Sequence, residues 1–442
     1  MATGSPRRVA VLGLDGVPFT LLKRLFDSGV MPNMAQAASD GTFVPMRTEL
    51  PAISSVAWTS FMTGVGPGDH GIFGFTDLKS GEIALHLPSF DDIRSPVIWH
   101  MLPKRRSIVV NVPFTYPARP LNGTLIAGFV APRFDAAVYP ESLIRRLTSI
   151  NYRIDVDAVR GRQDRRLLMT DLFDTLKIHA QVMEDLIKHE PWDLFIGVIT
   201  GTDRLHHFFF DAHADPGNSF HKDFIDYYRT VDAFFGRLLQ NLGTDTRLIA
   251  LSDHGFTNLK TQVYLNYILK AEDLLFFKRP DPRGLEDIHP ESKAFALDPT
   301  RIYISSRERF RSGILGRSES DELKARLKSR LQNLRLGDIG IGDHEGLGSV
   351  DEPLFDGVDT GEEIYRGNCL VMAPDLVVVP RRGFDVKAAL NVPTATMKDI
   401  FTGMHTHDDA FLMVNDASLC ERLAGSTIKD PAALIREVLE QS

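Results

Sequence analysis

Apolar runs of strand length at residues 9–14, 107–112, 124–129, 194–199, 247–251 and 376–379 constrain this chain more than any other feature. Each run is continuous and not alternating, so each strand it forms has to be covered on both faces. Amphipathic stretches lie between the runs. Residues 167–188 place Leu172, Leu176, Ala180, Met183 and Ile187 on one face, and residues 220–242 form a second such stretch. Buried strands separated by helices predict an α/β architecture with a mostly parallel central sheet and helices on both faces.

The pattern changes after His254. Residues 257–365 are richer in charge and carry loop-forming clusters at 278–284, 317–321 and 337–348, with a solvated helix expected over 323–334. The organisation expected is therefore a core of residues 1–256 and 366–442 with 257–365 inserted as a cap. Arg301, Tyr303, Arg307 and Arg309 in that segment could grip an anionic group, but arginines in a charged region are expected to be solvated.

Composition narrows the function classes. With 43% hydrophobic and 24% charged residues, the 442-residue chain is neither collagen-like nor disordered. A net charge of −8 lacks the basic footprint of a nucleic-acid binder. Two cysteines, Cys369 and Cys420, make neither a disulfide framework nor a thiolate zinc site. No run approaches the ~18 apolar residues that span a membrane, so a soluble, cytoplasmic protein is expected.

The chemistry sits where acids and histidines meet the strand ends, which is where open α/β sheets bind ligands. Asp15 follows 9–14 directly, Asp253 and His254 follow 247–251, and Asp203 and His207 come soon after 194–199. His405 and His407 precede another apolar run at 410–414. Each group alone has a plain structural role, such as a helix cap, a turn or an i, i+4 pair. Four of them at strand ends together make the pattern that a metal cluster at one sheet edge requires. A hydroxyl, Ser54, lies at the start of a helix expected over 55–62, where free N–H groups and the helix dipole suit a phosphoryl anion. Ser54 is also a natural N-cap for that helix, a role compatible with the first.

These segments resemble the alkaline phosphatase superfamily, and within it the type I phosphodiesterase / nucleotide pyrophosphatase group. They run from Val9-Ala10-Val11-Leu12-Gly13-Leu14-Asp15-Gly16 through Ala57-Trp58-Thr59-Ser60-Phe61-Met62-Thr63-Gly64, Pro67-Gly68-Asp69-His70-Gly71-Ile72-Phe73, Asp203 to His207, and Ser252-Asp253-His254-Gly255 to Gly403-Met404-His405. The resemblance implies an alkaline-phosphatase-like three-layer sandwich and two adjacent divalent metals, zinc or alternatively manganese. Asp15, Asp253 and His254 match the ligands of the metal that activates the nucleophile, and Asp203, His207 and His405 match those of the second. Ser54 matches the nucleophile. Ser55, His206 and His407 stand beside these positions as competitors.

The chain departs from nucleotide pyrophosphatases where Phe75 replaces a phosphoryl-binding Asn and where Ala57-Trp58 replaces an Asn-His pair. The sulfatase and Asp-Ser-Ala nucleophile motifs are not present around Ser54. The expected activity is metal-dependent hydrolysis of a small-molecule phosphate ester through a phosphoserine. A phosphomutase, or a metal-binding protein without turnover, is the alternative.

Overall fold

The computed structural model describes residues 7–339 and 348–441, so the loop cluster expected at 337–348 lies mostly outside the described residues. The chain divides into two compact units. The first comprises residues up to Val65, Ser89–Phe256 and His405 onwards; the second comprises Gly66–Pro88 and Thr257–Met404.

The first unit is built on an eight-stranded sheet. Its strands are β1 (Arg8–Leu14), β2 (Thr42–Met46), β3 (Ser107–Val110), β4 (Gly123–Ile126), β5 (Val138–Tyr139), β6 (Leu194–Ile199), β7 (Thr246–Leu251) and β8 (Ala410–Val414). They lie in the order β2-β8-β7-β1-β6-β3-β4-β5. The five central strands, from β7 to β4, are mutually parallel, and β8 and β5 join them antiparallel. The continuous apolar runs predict this burial: every residue of β6 and all but the first of β1 are buried. The strand expected over 107–112 stops at Val110 because Asn111 takes a left-handed conformation, φ 58°.

Helices α1 (Ser54–Thr63), α2 (Arg165–His189), α3 (Gly201–Phe209), α4 (His221–Asn241) and α5 (Asp430–Gln441) belong to the same unit. Asp164 caps α2, accepting from the N–H groups of Arg166 and Leu167. Every residue of α1 is buried. The hydroxyls of Thr59, Ser60 and Thr63 survive that burial by donating to carbonyls four residues back, at 2.6, 2.9 and 2.7 Å. Gly13 of β1 makes room for α1: a Cβ there would lie 2.3 Å from Cη2 of Trp58. Gly13→Ala should therefore cost roughly 1–3 kcal/mol through overpacking, measured by denaturant unfolding. A variant as stable as the parent would mean that Trp58 has another place to go.

The second unit has its own apolar core, from Val263 to Ala388, around a four-stranded sheet. Leu376–Pro380, read in the sequence as a return to the main core, instead pairs antiparallel with Arg301–Ile304 and Phe355–Thr360 in this smaller sheet. Residues 366–404 thus lie in the second unit, together with Gly66–Pro88, and not in the core assigned to them. A continuous apolar run reports that a strand is covered on both faces; it does not report which sheet receives it. The solvated arginines are corrected as well. Arg301 and Tyr303 are buried, and the Arg301 guanidinium donates to Thr76 Oγ1 at 3.3 Å and to the carbonyl of Asp298. Arg309 is half-buried beside Asp375 at 3.6 Å, and only Arg307 is exposed.

Candidate metal centre

The parallel register brings the strand ends level. Leu14 faces Ile199 on one side, and Gly13 faces Leu251 on the other. Asp15 after β1, the start of α3 after β6, and Asp253-His254 after β7 consequently meet at one edge of the sheet. Thr202 fastens the first two together, its hydroxyl donating to the carbonyls of Asp15 at 2.6 Å and Ile199 at 2.9 Å.

All seven residues singled out in the sequence converge here. Asp15, Asp253 and His254 present ligand atoms within 4.8 Å of one another, as do Asp203, His254 and His405. His207 Nε2 lies 3.0 Å from His405 Nε2 and 3.5 Å from Asp203 Oδ1. The His254 and His405 rings stack with centroids 3.8 Å apart. Ser54 Oγ donates to Asp15 Oδ1 at 3.2 Å and lies 3.4 Å from His254 Nε2. Ser54 does not cap its helix: α1 begins at Ser54 itself, with Ile53 at the cap position and no capping side chain. The Asp15 carboxylate takes the hydroxyl that a cap would have turned onto the backbone.

Each carboxylate spends one oxygen on a fixed donor and turns the other inward. Trp58 Nε1 holds Asp15 Oδ2 at 3.1 Å, the Gly16 N–H holds Asp253 Oδ1 at 2.9 Å, and Arg204 holds Asp203 Oδ2 at 3.3 Å. Gly16 has φ +67°, and a Cβ there would lie 2.8 Å from the Phe256 ring, so close approach and backbone conformation both call for glycine. On the inward side, Asp253 Oδ2 takes no hydrogen bond among the described residues and lies 3.4 Å from His254 Nε2.

Two of the three imidazoles, those of His405 and His254, are oriented in the same way. His405 Nδ1 lies 2.8 Å from the Ala52 carbonyl, and His254 Nδ1 lies 3.1 Å from that of Gly255. A carbonyl only accepts, so each Nδ1 carries the hydrogen and each Nε2 turns a lone pair inward.

Such a set is costly as it stands. Burial, then the nearby charges of Asp253 and Asp203, hold the Asp15 carboxyl well above its ordinary range. Burial likewise pushes Asp253 up to about 7, and burial with His405 pushes His254 well down. Burial opposes ionisation of Asp203 too, but His207, His405 and Arg204 outweigh it and hold that carboxyl well below normal. Inward carboxylate oxygens and imidazole lone pairs, with the Asp253 and Asp203 inward oxygens taking no hydrogen bond among the described residues, fit cations. Oxygen and nitrogen donors without sulfur suit zinc or manganese.

The competing residues differ in their surroundings. His206 is fully buried and spends both nitrogens, Nδ1 on the Gly16 carbonyl at 2.8 Å and Nε2 on the Tyr228 hydroxyl at 2.7 Å. Burial pushes its pKa down to about 3. Neither His407 nor His207 is in the two ligand groups, but His207 Nε2 lies 3.5 Å from Asp203 Oδ1 and 3.0 Å from His405 Nε2. Ser55 Oγ is buried with no hydrogen bond among the described residues, whereas Ser54 Oγ reaches the ligands. Sequence reasoning missed the supporting donors Trp58, Arg204 and Thr202. Trp58 had been noted within a matching segment and as the replacement of an Asn-His pair, with no carboxylate assigned to it, and it is wholly buried, as is Ala57.

The family of type I phosphodiesterases / nucleotide pyrophosphatases matches residues 9–407. The chain belongs to this family and is a hydrolase of phosphoric ester bonds. No curated protein matches it in sequence. Among solved structures, it is similar to phosphonoacetate hydrolase from Sinorhizobium meliloti in complex with phosphonoformate, with a TM-score of 0.65, 15% identity, and 99% of this chain and 97% of that one covered. It is also similar to murine ectonucleotide pyrophosphatase / phosphodiesterase 5, with a TM-score of 0.56, 13% identity, and 98% and 95% covered. At such identities the likeness establishes the fold, the alkaline-phosphatase-like α/β arrangement. No helix among the described residues is long and apolar enough to cross a membrane.

Proposed function

We propose that the protein is a metal-dependent phosphohydrolase that acts on a small-molecule phosphate ester, monoester or diester, through a phosphoserine at Ser54. The observation that carries this reading is the Ser54 hydroxyl, 3.2 Å from Asp15 Oδ1 and 3.4 Å from His254 Nε2, at the first turn of a buried helix. Asp15, Asp253 and His254 together with Ser54 would hold one divalent cation, and Asp203, His207 and His405 a second, zinc before manganese. Bound there, the cations would acidify the hydroxyl and neutralise charge on the phosphoryl and leaving oxygens.

The chain supplies position. Ser54 Oγ bonds to phosphorus as the ester oxygen departs, and the hydroxyl proton ends on the departing alcohol. Water then cleaves the phosphoserine, returning a proton to Ser54 and freeing inorganic phosphate from a monoester substrate or a phosphomonoester from a diester. The N–H groups of Ser54 and Ser55 stand in the first turn of α1, where the helix offers them no acceptor, so they are available to a phosphoryl oxygen.

Purified protein should be assayed with phosphomonoesters, phosphodiesters, phosphonates and sulfates in Zn²⁺ and in Mn²⁺. Release of inorganic phosphate or an alcohol supports hydrolysis. Transfer within the substrate without release would establish a mutase, and no turnover of any of them would remove the reading. Elemental analysis tests the ligand assignment: His405→Ala should bind about one metal equivalent fewer, and His407→Ala should bind the full complement. The reverse result would move the ligand to His407.

A further inference from the structure

Arg204 stands beside the ligand set without belonging to it. Its guanidinium spans two carboxylates: Nη1 donates to Asp203 Oδ2 at 3.3 Å, while Nε and Nη2 donate to Asp155 Oδ2 at 3.1 and 2.6 Å. Asp155 is held in turn by the N–H of Val156 at 2.8 Å, and the Phe129 ring lies under the guanidinium at 4.6 Å. The Asp203 side chain is 3% exposed, those of Arg204 and Asp155 21% each. A planar fork held from three sides is a rigid support, and lysine cannot reproduce it.

We propose that Arg204 and Asp155 form a positioning pair that fixes the rotation of the Asp203 carboxylate, and so sets the affinity of the cation held by Asp203, His207 and His405 without altering that of the other. This rests on the two-cation reading above. The arithmetic of charge favours orientation over electrostatics. Arg204 alone would repel a cation, but Asp155 cancels that charge at hydrogen-bond distance, and the pair is close to neutral toward the site. What remains is geometric. With Oδ2 tied to Arg204, Asp203 Oδ1 faces His405 Nε2 at 3.2 Å and His207 Nε2 at 3.5 Å. Without the tie the carboxylate is free to rotate. Partners that orient ligands in this way are typically worth about 10–100-fold in metal affinity.

The test is competitive zinc titration against a chelating dye on the full chain and on R204M, D155N and the charge-balanced R204M/D155N. Melting of the metal-free proteins is followed in parallel, so that misfolding is separated from lost affinity. The double variant should weaken one of two zinc-binding steps by roughly 10–100-fold and leave the other unchanged. In a His405→Ala background, which lacks the affected cation, adding R204M/D155N should change nothing further. R204K should fail to restore affinity. If the pair acts through charge alone, the single variants shift the step in opposite directions and the double variant returns to parental affinity; that result overturns the proposal, as does equal weakening of both steps. A parent protein that takes up no zinc overturns the two-cation reading itself, whereas two parental steps unchanged in the double variant overturn only the role of Arg204.

Discussion

Ser54→Ala should abolish turnover while both metal equivalents stay on the chain. The hydroxyl is the atom that enters the covalent bond, so its removal is expected to cost about 10⁴- to 10⁶-fold in kcat, the scale seen when a nucleophile is deleted. The structural cost is small by comparison. Ser54 is 2% exposed, and its hydroxyl makes one hydrogen bond, to Asp15 Oδ1. Losing it should cost on the order of 1 kcal/mol, and Asp15 stays tethered through Trp58. Ser55→Ala is the matched control, since its hydroxyl reaches nothing in the site and its backbone N–H is retained; activity within a few-fold of the parent is expected. Steady-state kinetics and elemental analysis on both variants check this. An active Ser54→Ala protein would reassign the nucleophile, and an inactive Ser55→Ala protein with normal metal content would point to Ser55.

The second large effect is on stability, and its sign reverses with metal. In the metal-free protein Asp253 is pushed up to about 7 by burial, from about 3.9 in an unfolded chain. A raised carboxyl stabilises the fold fully below the unfolded value, and that contribution is lost as pH rises through the folded one. Chelated protein should accordingly melt at progressively lower temperature between pH 4 and pH 7 on account of this group. Asp15, also raised, adds to the trend. Metal-loaded protein should do the opposite, because its ligands must be deprotonated to bind and affinity grows with pH. At a free metal concentration 1,000 times Kd the gain is about 4 kcal/mol. Asp253→Asn removes the buried charge, so it should raise the melting temperature in chelator at pH 8 and forfeit most of the stabilisation by metal. Scanning calorimetry across pH, with and without chelator, measures both arms. An Asp253→Asn protein that is less stable than the parent in chelator at pH 8 would show that the carboxylate is compensated by something other than a cation.

Much of the site could be read before any coordinates because strand ends in a parallel sheet are local features. Asp15 follows its apolar run directly and Asp253-His254 follow theirs after Ser252, and parallel pairing in register makes such positions neighbours. The choice between His206 and His207 was not local. Both lie on the α3 face that carries Asp203, and what removes His206 is a carbonyl from Gly16 and a hydroxyl from Tyr228, far off in the chain. Trp58 and Arg204 escaped for the same reason: an indole and a guanidinium show no sign in sequence of which carboxylate they will reach. The allocation of 376–380 to a second sheet was likewise hidden, since a strand covered on both faces has the same composition in either place. Ser54 was found for its position at a helix start, although the role expected there, capping, gave way to the buried Asp15.

The most direct test of the convergence on two cations is a crystal structure of zinc-loaded protein with anomalous data at the zinc edge. Two peaks are expected, roughly 3.5–4 Å apart, one bounded by Asp15, Ser54, Asp253 and His254 and the other by Asp203, His207 and His405. A single peak, peaks away from these residues, or ligation by His206 or His407 would contradict the account.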